Sequence, residues 1–322
     1  MGFSKILTAS LFAGLLSALP LNSAPLIERS VNSLASLNGT AGVPHFGNEN
    51  GNFMPAKKEF STLATGGVVQ GSLAVNSIVN EDGIGEGSDT YRRYTGDGGP
   101  EAGWPAMNQW VSFRAMFDNN KVLMFGACGW NAWGAVVFKT LISFTTHPSQ
   151  KEFTNFDHVD DSGPEVGAIY NAIQQVAQET KVDHRFILAT IIQESGGCVR
   201  VPTTNNGVRN PGLMQCHNGD GTCHSDITGQ VQFPCPDGVI TQMVREGTAG
   251  TRNGDGLAQV INQAVSTGGW GSRAFYIAAR LYNSGSVNQG NMNDPVGATP
   301  CYVMDIANRL TGWTLAASQC GL

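Results

Sequence analysis

The chain has 322 residues, 41% of them hydrophobic, and a formal net charge of −6. That is enough apolar material for one or two domains with a real core. Charged residues make up only 14%, with no basic run and no zinc-type Cys/His spacing, so nucleic-acid binding, a metal site and any other cofactor are without support.

The first residues read as a secretory signal over 1–24. Lys5 is followed by the apolar stretch ILTASLFAGLLSAL and then by small residues between Ser17 and Ala24. The stretch is too short for a comfortable membrane span, and no later run reaches that length. A secreted, extracellular protein with no membrane association after cleavage is expected. Residues 25–85 are rich in Gly, Ser, Asn and Ala without a sustained period, and read as a disordered pro-segment or arm. It carries a glycosylation sequon at Asn38-Gly39-Thr40.

Order is expected from about Gly85, giving a domain over 86–322. Trp110, Phe113, Met116 and Phe117 fit one helical face. With Trp104 they read as core, or, for either tryptophan, as a platform on which a sugar ring stacks. Residues 136–158 have a different texture from their neighbours. They are either a family-specific loop or a translated intron, and sequencing the transcript decides between them.

From Ser162 the helical pattern is clean. Ser162 and Glu165 form a capping box, with Pro164 in the first turn. Val166, Ile169, Tyr170, Ile173, Val176 and Ala177 mark a helix to about Thr180. Asp183 is an N-cap for the next helix, in which Phe186, Ile187, Ile191 and Glu194 follow at helical spacing. Gly196 and Gly197 stop it. A polar loop region is expected over about 196–238. Further helices are expected at 256–265, 272–282 and 301–310, where apolar residues recur every three or four positions. No strand alternation of comparable strength occurs. The fold class is mainly α, one helical domain stapled by disulfides.

Glu194 is the residue with most chemical content. It ends an apolar helix, where desolvation and the negative end of the helix dipole both disfavour the carboxylate. A carboxyl group tuned that way can donate a proton at mild pH. The plainer meaning is a surface glutamate at a frayed helix end.

Secretion makes the seven cysteines disulfide material. Six lie from Cys198 onward. Cys223 and Cys235 close a short polar loop and are the first expected pair. The count is odd, and Cys216, directly after Gln215, is the expected unpaired thiol. His217 and His224 flank Cys223, but a disulfide there leaves them without a ligand set.

Three pieces then stand in a fixed order: Glu194-Ser195, Gly212-Leu213-Met214-Gln215, and Tyr282-Asn283-Ser284-Gly285. This order resembles the lysozyme-like (α+β) domain of bacterial soluble lytic transglycosylases and goose-type lysozymes, over about 164–310. The stretches VDHRFILA and NPGLMQ are also similar to secreted fungal proteins carrying such a domain. The resemblance implies that Glu194 is the catalytic acid/base and that Ser195 holds it or contacts substrate. It implies that Gly212, Met214 and Gln215 line sugar subsites. Tyr282 would reach the catalytic carboxyl or the substrate, and Asn283 would hydrogen-bond a sugar. Met214 and Tyr282 are equally readable as packed core residues.

One departure matters. Goose-type lysozymes carry acids flanking the Gly-Leu-Met-Gln turn, whereas here Ser195 to Pro211 contains no Asp or Glu. The first acid after the turn is Asp220, which serves as a second carboxylate only if its loop folds back. Two-carboxylate inversion needs a separation of roughly 6.5–9.5 Å. The function implied is cleavage of the β-1,4 bond between N-acetylmuramic acid and N-acetylglucosamine in peptidoglycan, by a monomer. Chitin or chito-oligosaccharide cleavage, or carbohydrate binding without turnover, are the alternatives. The acidic balance sits less easily with an anionic wall.

Overall fold

The computed structural model describes residues 66–129 and 158–321. The expected signal segment, the Asn38 sequon and residues 136–157 lie outside the described residues. Within them the chain forms seven α-helices: α1 (Phe113–Met124), α2 (Gly163–Thr180), α3 (His184–Ser195), α4 (Asp237–Ala249), α5 (Leu257–Ser266), α6 (Gly271–Ser284) and α7 (Tyr302–Leu310). Two short strands, β1 (Thr204–Asn205) and β2 (Arg209–Asn210), make an antiparallel ribbon. No helix among the described residues is long and apolar enough to cross a membrane.

α3 is the axis of the molecule. Its residues from His184 to Ile192 are buried on every side, as expected for a helix that is apolar all round. α1, α2, α4 and α7 all pack against it. Each fully buried Phe, Ile or Leu along it contributes roughly 1.5–3 kcal/mol. The Asp183 side chain caps its start by accepting from the Arg185 N–H at 2.9 Å. Within this shell α2 packs along α4, and further out α5 packs along α6.

The Ser162–Glu165 capping box is present at the start of α2, with the Ser162 N–H donating to Glu165 Oε2 at 2.8 Å. α2 ends at Lys181 in the left-handed conformation, φ 59°.

Four expectations are corrected. Order does not begin near Gly85. Val69 is buried and its N–H donates to the Thr180 carbonyl at 2.8 Å, while Val75 N–H donates to Lys181 O at 2.9 Å. Residues from 66 onward therefore pack along the α2–α3 connection, satisfying carbonyls that the end of α2 leaves open. The aromatic helix begins at Phe113, because the Ser112 hydroxyl accepts from the Ala115 N–H at 3.2 Å and caps it there. Trp110 precedes that helix, and Trp104 and Trp110 are 1% and 0% exposed. Neither presents a face for a sugar ring. Finally, α4 lies at the end of what reads as a loop region and was not expected. Its sequence, DGVITQMVREGTA, has two glycines and five β-branched residues against five strong helix formers, and tertiary packing of Ile240, Met243 and Val244 overrides that weak propensity.

Disulfides join Cys128–Cys198, Cys223–Cys235 and Cys301–Cys320. Cys216 is free and buried. The first bond spans 70 residues, a constraint worth about 4 kcal/mol in a chain-entropy account of the unfolded state.

Candidate active site

Glu194 lies in the last turn of α3 and is half-buried, in contrast to the apolar residues before it. The helix stops one residue later because Gly196 adopts φ 66° and its N–H closes on the Ile192 carbonyl at 3.1 Å. Ser195 is fully buried. Its hydroxyl donates to Ile191 O at 3.0 Å and accepts from the Gly197 N–H at 3.1 Å. Ser195 thus terminates the helix, and its side chain is turned inward.

The segment that follows is locked from two sides. Cys198 is bonded to Cys128. Arg200, 0% exposed, pairs with Asp161 at 3.0 Å and with Glu165 at 2.5 Å. Glu165 Oε1 also accepts from the Cys235 N–H at 2.7 Å. One capping residue of α2 therefore ties together the chain beyond Glu194 and the Cys223–Cys235 loop. Burial pushes the Asp161 carboxyl up to about 7, against the lowering effect of the Val199 N–H and Arg200.

The Glu194 carboxyl is held by a residue the sequence did not nominate. Tyr302, the first residue of α7, donates its hydroxyl to Glu194 Oε1 at 2.6 Å. Burial, with the adjacent Glu194 charge, holds the Tyr302 phenol well above its ordinary value. It stays a donor across the whole working pH range. Tyr282 lies within electrostatic range of both Glu194 and Tyr302. Its hydroxyl, however, donates to the Met214 carbonyl at 2.8 Å. The tyrosine expected at the carboxyl thus clamps the neighbouring turn, and Tyr302 takes the carboxyl. Tyr302 opens an apolar-periodic helix directly after Cys301, so from sequence it reads as core.

The Gly212–Gln215 turn is built from strained backbone. Gly212 has φ 73°, and a Cβ there would meet the Gly221 carbonyl at 2.6 Å and Met243 at 2.7 Å; only glycine fits. Gln215 has φ 46°. Its side-chain oxygen accepts from Thr204 Oγ1 at 2.9 Å and its nitrogen donates to Gly212 O at 3.1 Å. The small ribbon and the turn are joined through this amide. Met214 is fully buried and packs against Gly247, where any side chain would strike it. Its carbonyl and that of Gly212 are both engaged within the protein, by Tyr282 and by Gln215.

Asn283, one residue after Tyr282, accepts from Arg280 Nη1 at 3.0 Å and from the Thr299 N–H at 3.2 Å. It braces the connection from α6 to α7. Asp220 is exposed. Its backbone N–H and that of Gly221 donate to Glu246 Oε2 at 3.0 and 2.9 Å. The buried carboxylate of α4 therefore shapes this loop, and Asp220 and Glu246 line a polar cavity of ≈ 220 Å³ with Asn218, Arg252 and Asn253. Cys216 points its thiol at the same carboxylate, 3.8 Å away, and burial raises that thiol far above its ordinary value. It is an inert core residue.

A second network underlies the carboxyl. Gln193 donates to Asp305 Oδ2 at 3.1 Å and accepts from Arg309 Nε at 2.9 Å. Tyr91 donates to Asp305 Oδ1 at 2.6 Å. Because Gln193 and Tyr302 bind from both sides of the same helix contact, α3 and α7 are registered against each other at Glu194. Cys128, Asp161 and Cys198 bring ligand-type atoms together, but both sulfurs are in one disulfide and offer no thiolate.

The arrangement provides a half-buried carboxyl group, a neutral hydroxyl hydrogen-bonded to it, and a rigid turn clamped by Tyr282. It can deliver and retrieve a proton at one point. Neither protein-family models, nor curated proteins, nor solved structures give a match to this chain.

Proposed function

We propose that the protein is a secreted glycosidase that cleaves the β-1,4 bond between N-acetylmuramic acid and N-acetylglucosamine in peptidoglycan. The observation that carries this reading is the half-buried Glu194 at the end of the central helix, with its carboxyl fixed by Tyr302 at 2.6 Å. The order of Glu194-Ser195, Gly212 to Gln215 and Tyr282-Asn283 supports it, and the three disulfides are compatible with secretion.

In this scheme Glu194 gives its proton to the glycosidic oxygen as the C–O bond breaks. The substrate's N-acetyl group stabilises the oxocarbenium-like carbon. The carboxylate so formed then takes a proton from the incoming nucleophile. Water as nucleophile gives hydrolysis; the sugar's own 6-hydroxyl gives a 1,6-anhydro product. Tyr302 keeps the carboxyl in one position through both steps and loses no proton itself. Asp220 is exposed and on a loop shaped by Glu246, which favours the single-carboxylate scheme over two-carboxylate inversion.

Glu194→Gln should lower the rate of bacterial wall lysis by about 10²–10⁴-fold with an unchanged circular dichroism spectrum. Lysis by that variant at the wild-type rate refutes the assignment. Mass spectrometry of wild-type digests names the reaction: reducing ends mean hydrolysis and anhydro ends transglycosylation. Products from chitin oligomers alone point to the chitin-cleaving alternative. Tight binding of N-acetylglucosamine oligomers without any product points to a binding protein.

A further inference from the structure

Two histidines distant in sequence meet outside the Glu194 cluster. His158 Nε2 lies 3.0 Å from His224 Nδ1. The rings are perpendicular, at 87°, with centroids 4.5 Å apart. Both side chains are half-buried, so solvent and small ions reach them.

Each backbone is held independently of the contact. The His158 N–H donates to the carbonyl of Cys128 at 3.1 Å, and Cys128 is disulfide-bonded. His224 follows Cys223, itself disulfide-bonded, and forms a bridge with Val231. Thr222 brackets it, accepting from the His224 N–H at 3.0 Å and donating to its carbonyl at 2.9 Å. The two imidazoles are thus presented by stapled segments.

The separation has two physical meanings. One ring donates its N–H to the other, or both nitrogens ligate one cation. Imidazole nitrogens bind zinc at about 2.0–2.1 Å, which places two cis ligands about 2.9–3.4 Å apart. The observed 3.0 Å falls inside that window. No backbone movement is needed to exchange the shared proton for a cation.

We propose that His158 and His224 form a binding site for a divalent cation of the zinc and copper class. The all-nitrogen pair selects these borderline metals over magnesium and calcium, which take oxygen ligands. Bound metal acts as a further clip between the chain beside Cys128 and the Cys223–Cys235 loop. The inference does not rest on the glycosidase reading, and its test has a readout independent of lysis.

The test is calorimetric titration of chelator-treated full-length protein with zinc chloride. One saturable site of micromolar affinity is expected. His158→Gln and His224→Gln should each weaken it more than tenfold, while His217→Gln should leave it intact. Zinc should raise the wild-type melting temperature and leave that of the two variants unmoved; magnesium should not raise it in any of them. The copper complex of the wild type should display hyperfine coupling to two nitrogens, a result that stands even if a variant fails to fold. Absence of saturable zinc binding, affinity unchanged in both variants, or a copper spectrum without two-nitrogen coupling overturns the proposal.

Discussion

Two carboxylate clusters flank the end of the same helix and are built on opposite principles. In one, Asp161 and Glu165 surround Arg200, and all three side chains are at most 2% exposed. In the other, Glu194 is half-exposed and accepts a hydrogen bond from a neutral phenol. A buried ion pair holds backbone segments in place, because each charge is what keeps its neighbour solvated. A carboxyl beside a hydroxyl can change protonation without stranding a charge. The first cluster is architecture, and the second is the one on which the proposed chemistry rests.

That contrast can be broken experimentally. The largest effect is expected from Arg200→Leu, which leaves Asp161 and Glu165 buried without their cation and should destabilise the fold by about 3–5 kcal/mol in urea denaturation. A loss under ~1 kcal/mol would remove the distinction between the clusters. Tyr302→Phe should leave stability largely intact and reduce kcat for wall lysis by about 10–100-fold, the value of one hydrogen bond to a charged group. A change confined to KM would place Tyr302 in substrate binding instead.

Two buried acids, Asp305 and Asp161, give a pH signature. Burial holds the Asp305 carboxyl at about 6, with the Tyr91 hydroxyl and Arg309 opposing the rise. Between its ordinary range and that value the native state keeps a proton that the unfolded chain has released. This contribution is therefore fully present at low pH and is lost as pH rises toward 6, by at most about 2–3 kcal/mol. Asp161, raised to about 7, acts with the same sign over a window extending higher. Melting temperatures between pH 4 and 7 should show the decline, and Asp305→Asn should flatten it. The smallest effect is expected from Asp220→Asn, with kcat within about twofold of wild type, since an exposed surface substitution away from the chemistry does little. A hundredfold loss would instead establish a two-carboxylate mechanism.

Local signals carried most of the helical framework. The Ser162–Glu165 box, the Asp183 cap and the paired glycines after Ser195 act within one turn, so their effect is readable from neighbouring letters. The pairing of Cys223 with Cys235 and the free Cys216 were readable for the same reason. What stayed hidden depends on contacts between distant residues. Glu165 is legible as a cap and illegible as a ligand of Arg200 and Cys235. Tyr302 has nothing in its surroundings to mark it off from a core aromatic, and its partner lies 108 residues earlier. Gln215 and Asn283 read as sugar contacts, yet each spends side-chain polar atoms on its own loop. α4 escaped because its helix is imposed by packing.

The half-cystines have a consequence for how this protein comes into being. Cys198 stands four positions beyond Glu194, and Cys301 immediately precedes Tyr302, so each partner in the 2.6 Å contact is adjacent to a covalent staple. A chain made where thiols stay reduced has to set that contact by packing alone. Oxidative maturation and the geometry around Glu194 are then one event: material produced in a reducing host should keep much of its helix while lacking a fixed carboxyl, and re-oxidation should restore the latter.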